Sequence, residues 1–170
     1  LDLSRIASGK LRLTFDVIGI NDIVRHVCEM CRGQVREKGI HLHCEIDPAA
    51  SDVVGDPGRL QQVLWNLVNN AAKFTPEGGH IHITTENVNA NTWDERVRVT
   101  VRDTGSGIVP ELVPRIFDPF EQGDANVTRQ HGGLGLGLAI SKVLIEQHRG
   151  SISVETGGAG RGSTFAVELP

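Results

Sequence analysis

Asp56-Pro-Gly-Arg-Leu-Gln-Gln-Val-Leu-Trp-Asn-Leu-Val-Asn-Asn-Ala-Ala-Lys-Phe74 carries the period of one amphipathic helix. Asp56 is a good N-cap, and Pro57 suits the first helical position, where its missing N–H is not needed. Leu60, Val63, Leu64, Leu67, Val68 and Ala71 recur at helical spacing and form an apolar stripe. Asn66, Asn70 and Lys73 follow at i, i+4 and i+7, within an arc of about 60° beside that stripe. Two amide oxygens and an ammonium on one face suit a metal-bound polyphosphate. Mg²⁺ takes hard oxygen ligands and keeps waters and phosphates in its shell, while Lys supplies a point charge. An ordinary solvated helix face would read the same way, so the neighbouring segments must decide.

Working outward, Leu1–Lys10 reads as the last turns of an upstream helix or linker stopped at Gly9. Leu11, Leu13 and Phe15 alternate as a first strand. A helix is expected over Asn21–Lys38, with Ile23, Val24, Val27, Cys28, Cys31 and Val35 inward. Leu42, Cys44 and Ile46 then alternate with His41, His43 and Glu45, which places the histidines outward. Cys28 and Cys31 fall on the apolar stripe, where free Cys behaves as a small hydrophobe, and this disfavours a metal site built from them with His41, His43 and Cys44. Ile81 and Ile83 open a further strand, and Glu86–Arg96 is a polar connection that gives Trp93 no obvious place. Val97, Val99 and Val101 alternate in a strand ending at Asp103. A helix over Leu134–Arg149 precedes two last strands, Ile152–Val154 and Thr164–Leu169. Strands greasy on one face, covered by three helices with one stripe each, give a two-layer α/β sandwich with a mixed, mostly antiparallel sheet.

Composition bounds the function. The 170 residues fit one domain, with 17 Lys+Arg against 21 Asp+Glu and a formal charge of −4. That balance argues against a general nucleic-acid binder. No apolar run approaches the ~18 residues of a membrane span. Three cysteines in an ordinary composition suit a reducing compartment rather than a disulfide scaffold.

Two glycine-rich stretches carry the chemistry. Asp103-Thr-Gly-Ser-Gly-Ile108 sits at a strand end, and Gly105 and Gly107 let the backbone approach a flat ligand closely. An ionised Asp is acceptor-only, so Asp103 can receive the exocyclic amine of adenine and would repel the carbonyl of guanine. A tight turn closed by Asp is the plainer reading of this stretch alone. Asp-Thr-Gly-Ser is also the aspartic-protease signature, but one copy occurs here and the long helices contradict that fold. Gln130-His-Gly-Gly-Leu-Gly-Leu-Gly-Leu138 runs into a helix, and glycines 132, 133, 135 and 137 expose N–H groups where a helix start adds partial positive charge. No strand immediately precedes it, against a Rossmann motif, and the Walker pattern is absent. Between the two lie Phe117-Asp-Pro-Phe120 and the polar segment Glu121–His131, which suits a nucleotide lid anchored by Phe117 and Phe120. Gln122 and Arg129 are candidates to reach phosphate.

Four stretches now agree in order and spacing. Asn66-Leu-Val-Asn-Asn-Ala-Ala-Lys-Phe74, Asp103-Thr-Gly-Ser-Gly107, Phe117-Asp-Pro-Phe120 and Gly133-Leu-Gly-Leu-Gly137 resemble the asparagine, first glycine, phenylalanine and second glycine boxes of sensor histidine kinases. The resemblance extends to Asp56-Pro-Gly-Arg-Leu-Gln-Gln62 and covers nearly the whole chain. It is closest to the hybrid kinases of the GHKL superfamily.

The resemblance implies a Bergerat ATP-binding fold over residues 11–170, after the end of a dimerisation helix at 1–10. It implies ATP and Mg²⁺ as cofactors, with Asn70 holding Mg²⁺, Asn66 beside it and Lys73 on phosphate. Asp103 would read adenine, with Gly105, Gly107 and Ile108 around it. Phe120, Gln122, Arg129, Gly132, Gly133, Leu134, Gly135, Leu136 and Gly137 complete the expected nucleotide set. Leu134 stands where many members carry Thr, and Phe74 where Tyr is frequent. None of the seven histidines lies in the acidic, Thr-Pro-containing context of the family's phosphoacceptor. The acceptor is therefore expected on an upstream dimerisation domain of a homodimeric parent that hands phosphate to a response-regulator receiver domain. The domain is expected in the cytoplasm, with membrane anchoring of the parent elsewhere left open. The alternative within the fold is a pseudokinase that senses nucleotide without transferring phosphate. Gyrase, chaperone and mismatch-repair ATPases of the superfamily lack the Phe-Asp-Pro-Phe box at this place.

Overall fold

The computed structural model describes residues 11–47, 49, 52–121 and 135–170. The expected helix end at Leu1–Lys10 lies outside them. Strand β1 (Asp16–Gly19) leads into helix α1 (Ile20–Glu37), followed by β2 (His41–Ile46) and β3 (Asp52–Gly55). Helix α2 (Pro57–Phe74), β4 (His80–Val88) and β5 (Arg96–Asp103) come next, and then α3 (Gly137–Gln147), β6 (Ser151–Thr156) and β7 (Ser163–Leu169). A short 3₁₀ turn spans Val113–Arg115.

The main sheet has five strands in the order β2-β4-β5-β7-β6, with β2 and β4 parallel and the remaining pairs antiparallel. Period-two alternation buries Ile81 and Ile83, Val97, Val99 and Val101, and Phe165, Val167 and Leu169 on one face. Against that face pack Val24, Val27, Cys28 and Cys31 of α1, Leu60, Val63, Leu64, Leu67 and Val68 of α2, and Leu144 and Ile145 of α3. Full burial of each such Val, Leu or Ile contributes roughly 1.5–3 kcal/mol. The two-layer sandwich of three helices on one mixed sheet is the architecture expected from the alternation.

Cys28 and Cys31 are buried as the stripe required. Burial pushes the Cys31 thiol up to about 11. The Cys28 thiol is pushed up as well, first by its hydrogen bond with Cys44 and then by burial. Cys44 lies on the helix-facing side of β2, as expected, but stays exposed because β2 is an edge strand of the sheet.

The first strand needs correcting. Leu11–Phe15 is not a strand, and pairing starts at Asp16 and runs antiparallel to β3, from Asp16↔Gly55 to Gly19↔Asp52. Leu11 and Leu13 still pack on the core, and the Thr14 N–H donates to Asp56 Oδ2 at 3.0 Å, so these residues serve α2 rather than a sheet. The α3 helix begins at Gly137, later than the expected Leu134, which lies outside the described residues. Trp93 is 97% exposed in the β4–β5 connection, where Asn89 and Asn91 take positive φ.

Local chemistry sets where α2 starts and stops. Asp56 accepts from the Arg59 N–H at 3.1 Å, the N-cap bond that the sequence predicts. The Asp56 N–H donates to His148 Nε2 at 2.9 Å, while His148 Nδ1 lies 2.6 Å from the Leu144 carbonyl. These partners specify the Nδ1–H tautomer and tie the start of α2 to the end of α3. At the other end, Lys38 Nζ donates to the carbonyls of Ala72 and Lys73 at 2.8 Å each, satisfying orphan acceptors of the last turn. Desolvation holds the Lys38 ammonium below the ordinary lysine range.

Candidate functional site

Three segments meet around the solvent-facing side of α2. Asn66, Asn70 and Lys73 are half-buried on it. The Asn66 Nδ2 donates to Ser141 Oγ of α3 at 3.1 Å, and a Cβ on Gly137 would strike the Asn66 amide oxygen. A side chain at 137 would therefore have to turn the Asn66 amide away from Ser141. Among the described residues, no hydrogen bond engages the Asn70 amide. Lys73 Nζ lies 5.0 Å from the centre of the Phe74 ring.

The C-terminal end of α2 touches the first glycine loop directly. The Ser106 N–H donates to the Phe74 carbonyl at 3.2 Å, and a Cβ on Gly105 would lie 2.5 Å from that oxygen. Asp103, at the end of β5, is 5% exposed. Its Oδ1 accepts from the Gly105 N–H at 2.7 Å, and its Oδ2 accepts from the Ser163 hydroxyl at 2.5 Å. A carboxylate has about four lone-pair sites, so two remain for a further donor. Gly107 has φ +66° and lies against the Gly158 carbonyl, an approach and a dihedral that both favour glycine. Ile108 packs on the core, and its N–H donates to Thr156 Oγ1 at 3.2 Å.

The second glycine stretch is described from residue 135. Gly135 has φ +67°, and its carbonyl accepts from the Phe120 N–H at 3.0 Å. This bond brings the two ends of the intervening segment together. Gln122, Arg129, Gly132, Gly133 and Leu134 lie outside the described residues. Phe117 packs edge-on against Phe165 at 6.3 Å between ring centres and sits against the core. Phe120 is 71% exposed at φ +66°, so its side chain does not anchor. Leu136 stands at the N-cap of α3 and offers no side-chain cap, which leaves first-turn N–H groups available to an anion.

Sequence reasoning missed Ser163. A hydroxyl at the start of a strand carries no signal by itself. Its role arises from the register Asp103↔Ser163, reached through the glycine-rich turn Gly157–Gly162. That turn is laced to the Asp103 loop by Gly162 N–H to Gly105 carbonyl at 3.0 Å and Gly160 N–H to Ser106 carbonyl at 2.5 Å.

Residues 55–170 match the family described as histidine kinase-, DNA gyrase B- and HSP90-like ATPases. Hybrid signal transduction histidine kinase L of Dictyostelium discoideum is 40% identical over 171 residues, which cover 99% of this chain and 10% of that protein. Hybrid signal transduction histidine kinase D of the same organism is 33% identical, over 100% of this chain and 13% of its own length. The chain thus spans a small fraction of the curated relatives it matches. Full-length ShkA in complex with AMPPNP superposes with a TM-score of 0.82 at 34% identity, covering 98% of this chain and 33% of that one. Among the described residues, no helix is long and apolar enough to cross a membrane. The chain belongs to the histidine kinase-, DNA gyrase B- and HSP90-like ATPase family, on the branch of the sensor histidine kinase catalytic domains.

Proposed function

We propose that this domain binds MgATP and presents its γ-phosphate to a histidine on a separate phosphoacceptor domain of a parent kinase. The observation that carries the reading is the buried Asp103 carboxylate, held by the Gly105 N–H and the Ser163 hydroxyl, on a loop in contact with the end of the helix bearing Asn70 and Lys73.

Asp103 receives the exocyclic amine of adenine, and Gly105 and Gly107 let its loop pack tightly against the Phe74 and Gly158 carbonyls. Lys73 and the uncapped start of α3 receive phosphate charge. Asn70, whose amide has no described partner, supplies an oxygen to Mg²⁺, with Asn66 beside it. The donor set fits such an ion, because amide oxygens are hard ligands and leave positions for water and phosphate. When bound, Mg²⁺ supplies neutralisation of the polyphosphate charge. Phosphoryl transfer depends mostly on positioning and charge, and the acceptor nitrogen is itself the nucleophile. The chain therefore needs to orient nucleotide and needs no general base.

The test mixes the 170-residue chain with the parent's acceptor-helix domain and γ-labelled ATP. Acid-labile label on the acceptor histidine is expected. Nucleotide binding without label would leave a nucleotide-sensing module. Absence of both would end the ATP-site reading. The partners that follow are a dimerisation and phosphoacceptor domain upstream and a receiver domain downstream, in a homodimeric parent with this domain in the cytoplasm. The complex of the histidine kinase ThkA with the response regulator protein TrrA supports the receiver partner alone, since ThkA superposes at TM-score 0.76 and 32% identity over 99% of this chain and 46% of that one.

A further inference from the structure

Four histidines gather on the sheet face turned away from the helices. In the parallel β2–β4 pair, His41 sits opposite His80 and His43 opposite His82. Ile81 and Ile83 alternate with the β4 histidines and are buried under the helices, so all four imidazoles share the open face. The rings overlap, with centres 4.9 Å apart for His41–His80, 4.6 Å for His43–His82 and 5.5 Å for His43–His80. His43 Nε2 and His80 Nδ1 are 3.3 Å apart. One ring nitrogen from each of His43, His80 and His82 falls within 4.8 Å of the others.

We propose that His43, His80 and His82 form a binding site for a late first-row divalent transition ion of the Zn²⁺ type, separate from the nucleotide site. Two imidazole nitrogens bound to tetrahedral Zn²⁺ at about 2.0–2.1 Å lie about 3.3–3.4 Å from one another. The His43–His80 pair already has that separation. A ring-to-ring hydrogen bond would account for this pair, but not for the third nitrogen converging on it. The ligands stand on paired strands, with β4 hydrogen-bonded on both sides, so the backbone is a rigid frame and only ring torsions need adjust. All three donors are imidazoles, which suit Zn²⁺, Cu²⁺ or Ni²⁺ and not the oxygen-seeking Mg²⁺ or Ca²⁺. The three thiols are not in the set: Cys28 and Cys31 are buried in the core, and Cys44 alternates to the other side of β2 from His43. The remaining coordination position faces solvent and is filled by water.

Zn²⁺ alone, without nucleotide, is titrated calorimetrically into the 170-residue chain in a non-chelating buffer. One saturable site is expected, unaffected by excess Mg²⁺. Losing even an outer-shell partner of a metal weakens binding about 10–100-fold, so His43→Gln and His80→Gln should each cost about tenfold or more. His26→Gln, on the exposed face of α1, should leave the affinity unchanged. Melting curves check that each variant folds, and His82→Gln gives the same readout should one fail. The Co²⁺ spectrum of the unsubstituted chain needs no variant and should lack a thiolate charge-transfer band. No saturable Zn²⁺ binding, an affinity unchanged in the histidine variants, or a thiolate band would overturn the site.

Discussion

Asn66 of α2 rests its amide against the backbone of Gly137, the first residue of α3, and donates to Ser141 one turn further on. This contact holds the asparagine-bearing face beside the uncapped helix start. Gly137→Ala places a methyl group where the Asn66 oxygen now lies. The obstacle is the end of a side chain, so the fold can yield by turning Asn66 away from Ser141, and alanine is up to about 1 kcal/mol better than glycine within a helix. The expected signature is a melting temperature close to the parent's with MgATP affinity reduced about tenfold or more. An unchanged affinity would show that Asn66 needs no fixed orientation.

Asp103 offers a second separation of binding from folding. Asp103→Asn removes the charge and leaves one oxygen for two donors, the Gly105 N–H and the Ser163 hydroxyl. With that oxygen taken, the amine of bound adenine lacks its acceptor, and an unpaired buried polar group costs about 1–3 kcal/mol. ATP should therefore weaken by about 5–150-fold. The new amide N–H can donate to a guanine carbonyl, so discrimination against GTP should relax. Ser163→Ala keeps the carboxylate and should weaken ATP without relaxing that discrimination. Competition titrations with both nucleotides check this, and equal losses of selectivity in the two variants would contradict it.

The proposed function gives Asn70 the task of holding Mg²⁺. In Asn70→Ala, the gain in ATP affinity on adding Mg²⁺ should vanish, while affinity measured in chelator should match the parent's. Removing one half-buried amide that no described partner engages should leave stability within about 0.5 kcal/mol. An intact Mg²⁺ dependence would move the ion elsewhere.

How far the sequence carried these assignments depends on how local each signal is. The α2 helix was legible because its stripe, N-cap and Pro57 are all read within a few turns. The outward placement of His41 and His43 followed from alternation, and so did the burial of Val97, Val99 and Val101. The β1–β3 ribbon was not legible. Asp52–Gly55 is short, and it is a strand only because Asp16–Gly19 lies beside it. Ser163 and the histidine cluster escaped for the same reason, since the strand register that creates them joins residues far apart in the chain. The exposure of Phe120 was not legible, because it accompanies a positive φ and a backbone bond to Gly135 that residue types do not reveal.

Asp56 governs the response to acid. Its partial burial would by itself raise the carboxyl pKa, but N–H donors from Thr14, Arg59 and Gly58 and the nearby Arg59 charge outweigh that and hold it below the ordinary carboxylate value. A lowered folded-state value means that the unfolded chain binds the proton more readily. The Asp56 contribution is thus fully present above about pH 4, the unfolded value, and is lost as pH falls through the lower folded value. Asp56→Ala should cost about 0.5–2 kcal/mol near neutrality through loss of the cap. Asp56→Asn keeps a capping oxygen and should cost less there, while both variants should lose stability less steeply below about pH 4 than the parent does. Denaturant midpoints measured from pH 7 down to pH 3 check the pair, and an acid limb as steep in Asp56→Asn as in the parent would assign that slope to other carboxylates.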